Sequence, residues 1–234
     1  MSAMDREQRA PGSEERERRQ RAWTWDVLTL GVLAGSFALT AAVYQRLPDP
    51  MPTHFAIDGR PNGWMARAVG AWLEPMMAVA IVGLLRFGSR LMPPGWRARL
   101  DASPVQILAL AVAGLLAGVH VLVLHAALSP SPRLGNAVWV LLGALFVILG
   151  LILPRTRRNP FFGVRTAFAL SSDENWARTQ RIGGYSMTIG GLVAIAAGLL
   201  GSPSIALAAI LASALAPAVW SWIIARRGTG DIPR

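Results

Sequence analysis

Six apolar runs, each long enough to cross a lipid bilayer, constrain this chain more than any other feature of its sequence. A bilayer core about 30 Å thick needs roughly 17–25 mostly apolar residues in a helix. The runs that meet this need are Trp25–Arg46, Ala68–Leu85, Pro104–Leu128, Ala137–Leu153, Gly184–Leu200 and Ser204–Ala225. Charged residues make up 15% of the 234 residues, fewer than a soluble domain of this length carries, and they cluster between the runs. The expected fold is therefore an all-α membrane protein with about six transmembrane helices, in contact with the lipid bilayer.

Arginine sets the expected orientation. The chain has no lysine, which GC-rich coding explains; the planar guanidinium could also serve phosphate binding. Arginines crowd the N-terminal tail, the second and fourth connections and the C-terminus. The other connections hold only Arg46, Arg60, Arg67 and Arg133. By the positive-inside rule both termini are cytoplasmic and the protein is a multi-pass protein of the cell membrane. The net charge of +10 follows from this topological pattern, and no direct contact with nucleic acid is expected.

The expected organisation is a disordered charged tail over 1–24, a two-span unit over 25–93, a four-span unit over 94–225 and a short tail over 226–234. Glycines 183, 184, 190, 191 and 198 in the fifth span permit close helix packing; a substrate path between helices is the other reading. There is no cysteine, which excludes disulfides and thiolate chemistry. H-E-x-x-H, G-x-S-x-G and P-loop motifs are absent, so no enzyme activity, catalytic residue, metal or cofactor is expected.

Two connections carry more than linker composition. The outer one, 47–64, reads LPDPMPTHFAIDGRPNGW. Its alternating prolines block helix, and Asp58-Gly59 and Asn62-Gly63 are both turn dipeptides, so a compact shaped cap is expected. Residues 53–57 suit a short extended segment, with Trp64 and Trp72 as anchors at the membrane interface. His54 and Asp58 either bind a ligand or hold the turn. With Glu74, near the start of the second span, they are the candidates at this end. Glu74 must face protein or water, since a carboxylate is costly in hydrocarbon. In the third span His120 and His125 diverge by about 140°, and His120 suits a hydrogen bond to a neighbouring helix.

The inner connection, 154–183, contains NPFFGVRTAFALSSDENWARTQRIGG. Ser171 or Ser172 marks a helix start, and Ser171 to Glu174 matches a capping box. The following segment is expected to lie on the membrane surface, with Trp176 interfacial and Arg165 and Arg181 near lipid phosphate or a partner.

At these two loops the chain resembles the SdpI family of bacterial membrane proteins, with the N-terminal domain of unknown function common in it. The outer match is Leu47-Pro48, Pro52-Thr53-His54 and Asp58-Gly59; the inner match is Asn159, Gly163, Arg165, Thr166, Leu170, Trp176 and Arg181. The resemblance runs from about Trp25 to Ala225. This chain has Ala167-Phe168 where the family often has Pro-Trp, and Gln180 where it often has asparagine. The resemblance implies a non-enzymatic protein of toxin-peptide immunity or membrane signalling. Its implied partners are an extracellular toxin peptide and a cytoplasmic repressor or signalling protein. The rival readings are a small transporter or exporter using Glu74, Pro217 and the glycine-rich fifth span, and a metalloenzyme built on His54, Asp58 and Glu74.

Overall fold

A computed structural model describes residues 13–91, 93–97 and 102–228. Six long helices cross the molecule: α1 (Ser13–Val43), α2 (Arg67–Phe87), α3 (Ala102–Leu128), α4 (Ala137–Ile152), α5 (Asp173–Leu199) and α6 (Pro203–Gly228). All six are long and apolar enough to span a membrane. The chain is a six-span helical membrane protein.

Helices α1 to α3 form one three-helix unit and α4 to α6 another, joined where α3 packs on α4. Leu33, Ala78, Val82, Ala109 and Ala113 fill the first unit at mid-height. At its far end Arg86 of α2 binds Asp26 of α1 at 2.6 Å. In the second unit, Ala194 and Ala197 of α5 meet Ala206 and Ile210 of α6, flanked by Trp139 and Phe146 of α4. Glycine sets the spacing there. A β-carbon at Gly191 would lie 2.5 Å from the Gly143 carbonyl oxygen, and one at Gly143 would lie 2.6 Å from that of Gly191. Small residues thus let the two backbones touch, as helices in lipid often do.

Two spans contain a buried proline, Pro75 in α2 and Pro217 in α6. Each lacks an N–H and so frees the carbonyl four residues earlier. In lipid that carbonyl needs a donor from a neighbour. Ser186 of α5 donates to the Ser213 carbonyl at 2.7 Å, and Thr40 of α1 reaches the Ala71 carbonyl at 3.5 Å.

Two boundaries differ from expectation. Within the tail 1–24 expected to be disordered, helix α1 already runs from Ser13; residues 1–12 lie outside the described residues, as do 229–234 of the C-terminal tail. No glycine or proline interrupts 13–30, and Glu14, Glu15 and Glu17 each precede an arginine by four, a spacing that favours helix. The fifth span and the expected surface segment are a single helix, α5. Nothing between Asp173 and Gly183 breaks a helix, and Gly183 and Gly184 are held helical by close packing against Pro217 and Pro154.

Connections fall at two ends. The hairpin after α1 touches the α3–α4 connection, which also meets the α5–α6 turn through Asn136 and Gly201. At the opposite end the α2–α3 connection approaches the α4–α5 connection through Gly88 and Phe161.

Candidate functional site

Both ends of the bundle carry ordered, polar structure. The outer connection is a two-stranded antiparallel hairpin, β1 (Met51–Phe55) and β2 (Pro61–Met65). Leu47 and Met51 anchor it in a core with Ala71, Val123 and Leu124. The turn is at Asp58-Gly59, where Gly59 has φ +77°. Asp58 Oδ1 accepts from the Arg60 N–H at 3.0 Å, fixing that turn. The Gly59 carbonyl accepts from the Leu134 N–H at 2.8 Å, so the tip is docked rather than free. The second turn dipeptide is not a turn. Asn62 and Gly63 lie within β2, and glycine is needed because Gly63 faces His54, whose β-carbon would be 2.9 Å from one placed there.

His54 Nδ1 meets Asn62 Oδ1 at 2.5 Å across the hairpin. Glu74 is elsewhere: its Oε2 lies 3.4 Å from Nδ1 of His120. Each of the three candidates at this end therefore has its own local partner, and the structure does not bring them together. No group of three His, Asp or Glu side chains converges as a metal-ligand set among the described residues. Trp64 is 54% exposed; Trp72 is half-buried and stacks on Phe37 of α1 and on Tyr44 in the turn that follows it.

Below the hairpin lies a constellation that the sequence shows only in part. His120, 2% exposed, is held between Glu74 of α2 and Thr40 of α1, with Nε2 2.7 Å from Thr40 Oγ1. Thr40 carries no sequence signal, because a threonine in an apolar helix normally bonds its own preceding turn.

The inner connection folds around three buried polar side chains. Asn159 Oδ1 accepts from the N–H groups of Phe161 and Phe162 at 2.8 and 2.7 Å, and its amide donates to the Arg157 carbonyl. Gln180 accepts from the Val164 N–H at 2.9 Å and donates to the Val164 carbonyl at 3.0 Å. Trp176, also 2% exposed, donates its indole N–H to the Thr156 carbonyl at 2.8 Å. Gly163 has φ +118° and packs on Trp176 and Gln180, where a side chain would collide. Thr166 caps the short helix Ala167–Ser171 and bonds Ser221 of α6.

Trp176 is thus a buried strut rather than an interfacial anchor, because the loop wraps over it. The cap of α5 is Ser172, which accepts from Asn175 N–H; Glu174 pairs with Arg178 instead of closing a capping box with Ser171. Arg165 is exposed and donates to the Pro160 carbonyl, beside an open groove of ≈ 490 Å³ that Gly163 and Leu170 also line. Arg181 is exposed on α5. Sequence reasoning did not single out Arg158, which ties the loop to α5 through Asp173 at 2.7 Å and to the Leu170 carbonyl.

The transporter candidates divide between the two units, Pro217 meeting the glycine-rich fifth span. Glu74 faces α1 and α3 in the first unit, whereas Pro217 packs against Gly183 in the second.

The architecture defines a polytopic membrane protein with a docked hairpin at one end and a folded arginine-bearing loop at the other. Residues 155–224 match the SdpI/YfhL protein family, and residues 31–79 match the Domain of unknown function (DUF1648). The resemblance to the SdpI family, with its N-terminal domain of unknown function, is borne out at both positions. The first segment contains Thr40, the hairpin and Glu74; the second contains the inner loop, α5 and most of α6. Searches of curated proteins and of solved structures gave no match.

Proposed function

We propose that this protein is a non-enzymatic receptor of the SdpI type. It meets an extracellular peptide toxin at the hairpin end and reports to a cytoplasmic protein at the 154–183 end. The observation that carries this reading is the hairpin's construction. Its inner face is fixed by buried Met51 and its tip by Gly59, while Ile57 and Trp64 are 49% and 54% exposed. A rigid platform bearing apolar groups binds a partner without first having to be ordered. Arginine asymmetry supports an orientation with that platform outside the cell and Arg165 and Arg181 inside. Signalling between the ends requires two states that the peptide binds unequally.

The test is survival of a bacterial host challenged with a panel of secreted peptide toxins. The intact chain should protect against at least one, and Trp64→Ala should lower that protection at unchanged membrane abundance. His54→Ala, which removes only a hydrogen bond within the hairpin, should act more weakly. Absence of protection by the intact chain against every toxin would overturn the immunity role.

A further inference from the structure

We propose that Arg155 and Arg181 form a binding site for the headgroup phosphate of an anionic phospholipid, at the seam where the end of α4 meets α5. The inference rests on the register of two packed helices, and it does not depend on the receptor reading.

Glycine contacts fix that register. The two helices run antiparallel: Gly143 meets Gly191, Gly150 meets Gly184 and Thr188, and Gly184 meets Pro154. Arg155 ends the 3₁₀ turn Leu153–Arg155 that continues α4. Carried past the Pro154–Gly184 contact, the register brings Arg155 level with Arg181. One turn further into the span it brings Leu151 level with Tyr185. All four side chains are exposed, Leu151 at 52% and Tyr185 at 66%. The exposed surface thus changes at one level on both helices, from leucine and tyrosine to a pair of arginines. In a span, that change marks the passage from hydrocarbon to headgroups, a boundary that tyrosine favours.

Neither arginine has an acidic partner among the described residues. The connection 154–183 carries six arginines against two acidic residues, Asp173 and Glu174. Both acids are engaged elsewhere, Asp173 with Arg158 at 2.7 Å and Glu174 with Arg178 at 2.6 Å. Arg155 donates one N–H back to the Leu151 carbonyl, which draws its guanidinium toward the hydrocarbon. Arg181 makes no hydrogen bond or ion pair with any described residue.

A guanidinium cannot shed its charge, and it has five N–H groups to satisfy. At the edge of hydrocarbon a lone cation is costly, and two like charges at one level add to that cost. A phosphate between them offsets both terms, taking charge-assisted bonds from two planar forks. A lipid fits better than a soluble anion, because exposed Leu151, Tyr185 and Ile189 lie directly below to receive its acyl chains. An anionic lipid fits better than a zwitterionic one, whose headgroup brings its own cation to a surface that is already basic.

The test titrates the full chain, delipidated in detergent, with phosphatidylglycerol or phosphatidylcholine and counts bound lipid by native mass spectrometry. Phosphatidylglycerol should bind in preference to phosphatidylcholine. Arg155→Gln and Arg181→Gln should each weaken it about five-fold, the usual effect of one arginine beside anionic lipid. Arg133→Gln removes the same charge from the exposed connection at the hairpin end and should leave the affinity unchanged. Equal affinity for the two lipids in the intact protein would overturn the proposal. So would an equal loss in Arg133→Gln, which would reduce the effect to net charge. Displacement of the lipid by an equal concentration of inorganic phosphate would also overturn it, by marking a site for soluble anions. The intact protein's preference between lipids stands even where a variant misfolds.

Discussion

Asn159, Trp176 and Gln180 show how three polar side chains replace regular secondary structure in holding a loop. Gln180 satisfies both backbone groups of Val164 from inside α5. Removing it leaves the N–H and the carbonyl of half-buried Val164 unpaired, at up to about 1–3 kcal/mol each. Gln180→Leu should therefore lower the midpoint of thermal unfolding in detergent, and Arg181→Ala, one residue on but exposed, should leave it unchanged. Trp176→Ala should be worse, costing about 3–5 kcal/mol as a large aromatic leaves a packed site. An unfolding midpoint for Trp176→Ala equal to that of the parent would contradict its role as a strut. Asn159, Gly163 and Trp176 were legible as a group from sequence, through motif resemblance. Their mechanism was not, because indole beside arginine reads equally well as a lipid-interface anchor until Thr156 is seen above it. Gln180 was visible only as a departure from the family pattern, yet its longer side chain spans both Val164 groups here.

Helices were legible because bilayer thickness imposes a length on apolar runs, and apart from the starts of α1 and α5 their ends lie close to those expected. What hydropathy cannot show is where a span continues into polar sequence. Helix α5 keeps its geometry through Thr179 and Gln180 because both side chains are buried. Extended geometry was legible in the hairpin, but not its pairing, which bulges irregularly between Pro52 and Phe55. Glycine in the spans shows a contrast that can be measured. Gly191 sits against the Gly143 carbonyl, whereas a β-carbon at Gly31, Gly35 or Gly114 would meet nothing within 4 Å. Gly191→Ala must push α4 and α5 apart, at about 1–3 kcal/mol or more, while Gly35→Ala should be neutral or slightly favourable to helix. The yield of monodisperse protein in size-exclusion chromatography should fall for the first and hold for the second. Equal yields would mean that α4 and α5 are not in backbone contact.

Across the whole molecule, the two three-helix units solve the same problem twice. Each has a proline-containing span whose freed carbonyl is approached by a hydroxyl on a neighbouring helix, Thr40 in the first and Ser186 in the second. Each also presents one folded cap, and the caps lie at opposite ends. That separation follows from connectivity, because an odd connection and an even connection must emerge on opposite sides of a six-span bundle. Only the arginine distribution bears on which side is outside. The contacts Gly59–Leu134 and Gly88–Phe161 fix which connections share an end, but they are symmetric with respect to the two compartments. Arginine is retained on the cytoplasmic side during insertion, so the hairpin end, poor in arginine, should be exported. The absence of cysteine makes this directly measurable, since any introduced thiol is the sole reactive one. Asp58→Cys should react with a membrane-impermeant maleimide in intact cells, and Arg181→Cys only after permeabilisation. The reverse pattern would place the hairpin in the cytoplasm, and any extracellular peptide would then have to be met by the 154–183 loop.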